Sequence, residues 1–214
     1  LLCGLAFVAH AQGVNAAFPE LGATGDRFTF LINADPQMGP KDSQARNERL
    51  LYALLADFVE EANAQAPAFT LYNGDMVAFA RPAYFDAFVE VAQRHAHPVL
   101  LVHGNHDGRH PGEDFQDMQA ALGAPRALWY SFDVGAWHFA VIPGKEQLPG
   151  PEAEDALLDW LEADLAANAN RPTMLFVHYH LLPVGLSQSE YYTLSMDLRR
   201  AIIDTATRHG NVRH

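Results

Sequence analysis

Four short apolar runs in this chain each stop at a cluster of polar side chains, and no other sequence feature constrains the fold as much. Phe28 to Ala34 ends at Asp35-Pro36-Gln37, and Ala68 to Tyr72 runs into Asn73-Gly74-Asp75. Val99 to Val102 leads at once to Gly104-Asn105-His106-Asp107, and Thr173 to Val177 gives way to His178-Tyr179-His180. Runs of this length, apolar throughout, read as buried strands. Helical periods lie between them. Leu50, Leu51, Leu54, Leu55, Phe58, Val59 and Ala62 share one face, Ala83 to His95 forms a second helix, and Glu152 to Ala167 a third. Met196 to His209 is a further amphipathic helix, closed by Gly210-Asn211. Leu128 to Val134 and Trp137 to Ile142 predict an antiparallel pair turning at Gly135-Ala136. The alternation predicts a layered α/β domain. In open α/β sheets ligands collect beyond the carboxyl ends of strands, so the four clusters are expected to meet at one rim.

The 214 residues suit one domain, expected over residues 26–214. With 14 basic and 26 acidic side chains the formal charge is −12. That balance argues against a nucleic-acid backbone or an anionic membrane as the main partner, since both reward clustered Lys and Arg. The sole cysteine, Cys3, excludes an internal disulfide or a cysteine zinc site. Leu1 to Ala11 is a short apolar run ending in Ala-x-Ala, which reads as the remnant of a secretory signal peptide and implies an exported protein, periplasmic or extracellular. The run falls short of the roughly 20 apolar residues of a membrane span, so no stable membrane insertion is expected. Val212-Arg213-His214 reads as the start of another strand, cut short.

The rim gathers Asp35, Gln37, Asp75, Asn105, His106, Asp107 and His178. Carboxylate, carboxamide and imidazole groups suit hard or borderline metal ions. Neighbouring carboxylates alone would repel, and one would be driven to protonate. A pair of metal ions removes that penalty. Two ions about 3.5–4 Å apart can activate a shared water or hydroxide and clamp both oxygens of an in-line displacement. Phosphate esters suit such a clamp because the transferred group is anionic. Taken singly, Asp35 before Pro36 is a turn or cap residue, Gly74-Asp75 a common turn pair, and His178 a hydrogen-bonded core histidine. Their shared placement after apolar strands favours the metal reading. No phosphate loop, dinucleotide turn or nucleophile elbow occurs. His103 and His110 are expected to line the pocket, and His95, His97, His138 and His209 to be surface or core residues.

The run Val102-His103-Gly104-Asn105-His106-Asp107, with Asp35, Asp75 and His178 in order around it, resembles the calcineurin-like metallophosphoesterase superfamily. The neighbouring Trp129 to Asp133 and Trp160-Leu161-Glu162 look similar to its bacterial secreted branch. The resemblance implies a two-sheet α/β/β/α sandwich, incomplete at the C-terminus, and two divalent or trivalent metal ions (Mn, Fe or Zn). Asp35 would bind the first, Asp75 would bridge both, and Asn105 and His178 would bind the second. His106 would protonate the leaving oxygen or steady the phosphoryl group, with Asp107 orienting it. The family's first block is Asp-x-His, and here Gln37 takes the place of its His as a weaker ligand. The tyrosine that purple acid phosphatases carry three residues after the bridging Asp is replaced by Ala78. A final Gly-His-x-His block is absent and His214 falls too early to supply it, so the chain as given is expected to be weak or inactive. The implied function is metal-dependent hydrolysis of a small phosphorylated substrate, open among monoesters, diesters and pyrophosphate-type bonds. The other reading is a non-catalytic binding or scaffold protein of the same fold with an incomplete metal site.

Overall fold

The computed structural model describes residues 14–16, 27–39, 45–108, 113–182 and 193–214. The expected signal segment 1–11 and His110 lie outside these residues. The described chain runs β1 (Val14–Ala16), β2 (Leu31–Asn33), α1 (Ala45–Gln65), β3 (Thr70–Asn73), α2 (Pro82–Ala92), β4 (Val99–Val102), α3 (Glu113–Ala121), β5 (Tyr130–Val134), β6 (Trp137–Ile142), α4 (Pro151–Ala167), β7 (Thr173–Val177) and α5 (Met196–His209). One sheet has the order β2-β3-β4, all parallel; the other has the order β1-β5-β6-β7, with β5 and β6 antiparallel. The predicted hairpin is present in register, Val134 opposite Trp137.

Period-two alternation in the strands builds the layers. Leu71 and Leu100 point between the sheets, where they meet Phe132, Phe139, Val141 and Phe176. Their neighbours Tyr72 and Leu101 point the other way, onto Leu55 and Val59 of α1 and Phe85 and Phe88 of α2. On the far side Ile142 packs on Leu157, Leu161 and Leu165 of α4 and on Leu198 and Ile202 of α5. The result is the α/β/β/α sandwich. Helix ends follow local chemistry. Pro82 and Pro151 open α2 and α4, the Ser195 hydroxyl accepts the Leu198 amide, and Gly210 closes α5 at φ 68°.

One expected strand is shorter than read, and two elements were not read at all. The strand expected from Phe28 to Ala34 is confined to Leu31–Asn33, and Phe28 and Phe30 before it pack into the inter-sheet aromatic cluster while the Thr29 carbonyl still accepts the Ala68 amide. The stretch 108–123, for which no helix was read in the sequence, contains α3, whose Phe115 and Met118 are buried against α2 and β4. β1, unread in the sequence, pairs in parallel with β5. At the other end the Leu175 amide donates to the His214 carbonyl and Arg213 to Thr173, so the last residues run beside β7. Among the described residues no helix is long and apolar enough to cross a membrane.

Candidate metal centre

The carboxyl ends of β2, β3 and β4 bring Asp35, Asp75 and Asn105 to one edge, and β7 delivers His178 from the second sheet. Ligand atoms of Asp35, Asp75 and His178 all lie within 4.8 Å of one another. Gln37 completes one side: its carboxamide sits 3.4 Å from Asp35 Oδ1 and 3.3 Å from Asp75 Oδ2. Asn105 completes the other, with Oδ1 3.1 Å from His178 Nε2. All five expected ligands are therefore adjacent.

The backbone at this edge is held in an uncommon conformation. Asp35, Gln37 and Asp75 have φ of 56°, 45° and 55°, a region that side chains other than glycine rarely adopt. Backbone bonds maintain it. The Asp35 amide donates to the Gly74 carbonyl at 3.1 Å and that of Gln37 to the Asp75 carbonyl at 3.0 Å. Two glycines make the approach possible. A Cβ on Gly104 would collide with the Asp75 amide and carboxylate, and one on Gly74 would strike the His178 ring.

Proton inventory favours a cation here. The His178 Nδ1 edge faces the Asn73 carbonyl at 2.8 Å, so it carries the proton and donates it there. In the neutral ring Nε2 is then a lone pair, aimed at Asn105 Oδ1 and, 3.4 Å away, at Asp75 Oδ1. Electron pairs from an imidazole, a carboxamide and a carboxylate converge on one spot, an arrangement that a metal ion completes. Gln37 as placed donates from Nε2 to both carboxylates, and a half-turn of the amide puts Oε1 there as a ligand for a hard ion. Among the described residues no lysine or arginine pairs with Asp35 or Asp75. The donor set fits metal ions.

His106 stands beside this cluster without joining it. Its amide donates to Asp75 Oδ1 at 2.9 Å and its Nδ1 to the Ala78 carbonyl at 2.6 Å, leaving Nε2 3.9 Å from Asp75 Oδ2. The expected pairing of Asp107 with His106 is not what the carboxylate does. Asp107 Oδ2 accepts the amides of Asp75 and Gly104, both at 2.9 Å, and Oδ1 accepts that of Val77 at 3.2 Å. It is buried, and burial pushes its carboxyl up to about 7, against the pull of the Gly104 amide and with the charge of Asp75 adding to the rise. Its place is to tie the β4 turn to the β3 turn. His103 is enclosed, with its ring centroid 3.9 Å from that of Phe115, and burial lowers its imidazole to about 3. Sequence reasoning overlooked Asn73, whose carbonyl orients His178 and whose Nδ2 donates to the Val177 carbonyl. Its position between a buried strand and the Gly-Asp pair was the available signal.

A family model described as calcineurin-like phosphoesterase matches residues 28–205. The glycerophosphodiester phosphodiesterase GpdQ of Enterobacter lignolyticus is 30% identical over 143 residues, covering 63% of this chain and 50% of the relative. The 3′,5′-cyclic adenosine monophosphate phosphodiesterase CpdA of Escherichia coli is 25% identical over 123 residues, covering 57% and 43%. The chain thus spans about half the length of the relatives it matches. A crystal structure of a dimetal phosphatase from Danio rerio superposes with TM-score 0.66 at 16% identity, covering 86% of this chain and 79% of the other, a likeness of fold. With most of its length under the matching model and its strand-end residues assembled as described, the chain belongs to the calcineurin-like phosphoesterase family.

Proposed function

We propose that the protein is an exported, metal-dependent hydrolase of phosphodiesters with a binuclear centre. The convergence of Asp35, Asp75 and His178 within 4.8 Å, flanked by Gln37 and Asn105, carries the reading. Two relatives named as phosphodiesterases support the diester as substrate. The Ala-x-Ala run at residues 1–11 supports export. Asp35 and Gln37 would hold one ion, Asn105 and His178 the other, and Asp75, with a carboxylate oxygen toward each side, would bridge them. Manganese, iron or zinc suits this oxygen-and-nitrogen set. When bound, such ions neutralise the anionic substrate and lower the pKa of water.

The chain's own residues then handle geometry and the proton. The Asp75 carboxylate is fixed by the His106 amide and its backbone by Asp107, so the bridge is preorganised. As water adds to phosphorus and sheds a proton to solvent, the bond from phosphorus to the leaving oxygen breaks and that oxygen takes the electron pair. Protonated His106 keeps Nδ1 on the Ala78 carbonyl and donates from Nε2 to the leaving oxygen. The test is turnover of an aryl phosphodiester and the matching monoester by the full-length protein, stripped and then reloaded with manganese, zinc or iron. Diester hydrolysis that follows two equivalents of metal is expected, and His106→Ala should retain the metal while turnover falls roughly 10²–10⁴-fold. Absence of stoichiometric metal, or hydrolysis indifferent to it, overturns the reading.

A further inference from the structure

The loop from β3 to α2 begins inside the protein and ends outside it. Met76, Val77 and Ala78 are fully enclosed, whereas the next residue, Phe79, keeps 49% of its surface exposed. Single exposed apolar side chains are ordinary, and Leu50 and Leu54 on α1 are of that kind. The neighbour of Phe79 sets it apart. Its ring meets the His106 imidazole nearly edge-on, with centroids 6.3 Å apart and planes inclined at 61°.

The two rings are fixed by the same piece of backbone. Ala78 holds His106 Nδ1 through its carbonyl, and Phe79 is the residue that follows. Ala80, exposed like Phe79, lies beside Gly108, the residue that follows Asp107. His106 Nε2 faces the metal centre, 3.9 Å from Asp75 Oδ2. An alcohol whose oxygen takes the Nε2 proton lies against the imidazole, and the exposed phenyl ring is a neighbour of that same imidazole. A flat aromatic group there gains a stacking face that a small polyol lacks.

We propose that Phe79 is the leaving-group platform of this site and selects phosphate esters whose departing alcohol bears an aromatic plane, such as a nucleobase. The proposal deepens the phosphohydrolase reading and rests on it. The probes are adenosine 5′-methyl phosphate and its counterpart with a methoxy group in place of the base. Both release the same kind of primary hydroxyl, so the base alone distinguishes them. The full-length, metal-loaded protein should favour the base-bearing ester in kcat/KM by roughly tenfold, the scale of one base–aromatic stack. Phe79→Ala should abolish that preference and leave the baseless ester within about twofold of its original rate, while Phe79→Trp should keep the preference. Calorimetry supplies a readout independent of turnover: Phe79→Ala should weaken binding of free adenosine by a similar factor.

A preference that survives Phe79→Ala overturns the platform. So does an equal loss on both esters, which would mean that the ring merely supports His106. Should the loaded wild type hydrolyse neither ester, the phosphohydrolase reading fails, and adenosine binding still decides the role of Phe79.

Discussion

Asp107 shows how a buried carboxylate can brace the frame of a candidate metal site through backbone amides alone. Three backbone amides, from Asp75, Val77 and Gly104, converge on its two oxygens. An asparagine there keeps the shape but turns an NH2 group toward at least one N–H donor, leaving a buried amide unsatisfied. Asp107→Asn should therefore loosen the β3 turn and weaken metal binding by about 10–100-fold, the usual cost of losing an orienting partner. Isothermal titration with manganese measures this, and unchanged affinity would remove Asp107 from the support of the bridge. The sequence announced Asp35, Asp75, Asn105 and His178 through residue type and position after an apolar run. It could not announce what Asp107 holds, because two of its three donors lie on a turn 30 to 32 residues away. The left-handed φ of Asp35, Gln37 and Asp75 was equally hidden, since Asp adopts that region only occasionally and Gln more rarely still.

Between elements, the most specific polar joint is the one that pins the β5–β6 hairpin to α4. His138 is fully buried and makes two 2.7 Å contacts, Nδ1 with Asp133 and Nε2 with Asp164. Ser131 donates to the other oxygen of Asp164, and Arg171 pairs with Asp133. Burial opposes the charged imidazole, but hydrogen bonds and charges from Asp164 and Asp133 outweigh it and raise its pKa above 6.5. The folded state thus binds this proton more tightly than the unfolded chain. The stabilisation is fully present below about pH 6.5 and is lost as pH rises through the raised folded value. His138→Gln should lower the urea midpoint clearly at pH 6 and much less at pH 9; an equal deficit at both would show that the imidazolium is not what stabilises the joint. Half of this was legible, because the hairpin register sets Asp133 directly opposite His138. Asp164 was not, since it arrives from a helix whose rotation over the sheet depends on tertiary packing. α3 escaped notice for a related reason: its helical period is short and gains its stability from burial of Phe115 and Met118 against other elements.

Across the whole molecule, the candidate metal centre lies at a joint between the two sheets. Asp35, Asp75 and Asn105 follow strands of one sheet and His178 follows a strand of the other. Two bonds already stitch the edge, from His178 to the Asn73 carbonyl and from Asn73 to the Val177 carbonyl. Behind them the sheets are held by aromatic packing centred on Phe139, which stacks on Phe132 at 4.9 Å and Phe176 at 6.0 Å within its own sheet and meets Phe69 at 5.4 Å and Phe30 at 5.7 Å from the other side. A ligand shared by two layers stabilises their docking by mass action, about 2.7 kcal/mol when free metal stands at 100 times its Kd. Phe139→Ala should cost about 3–5 kcal/mol through the cavity it leaves between the sheets. Saturating metal should then recover a large part of that loss in denaturant unfolding. His178→Ala isolates the cause, because it leaves the aromatic packing in place and removes the second sheet's contribution to the centre. Its metal-dependent gain in stability should shrink well below that of the wild type. A gain as large as the wild type's would show that the ions are held by the first sheet alone and that the two layers are joined by apolar packing without them.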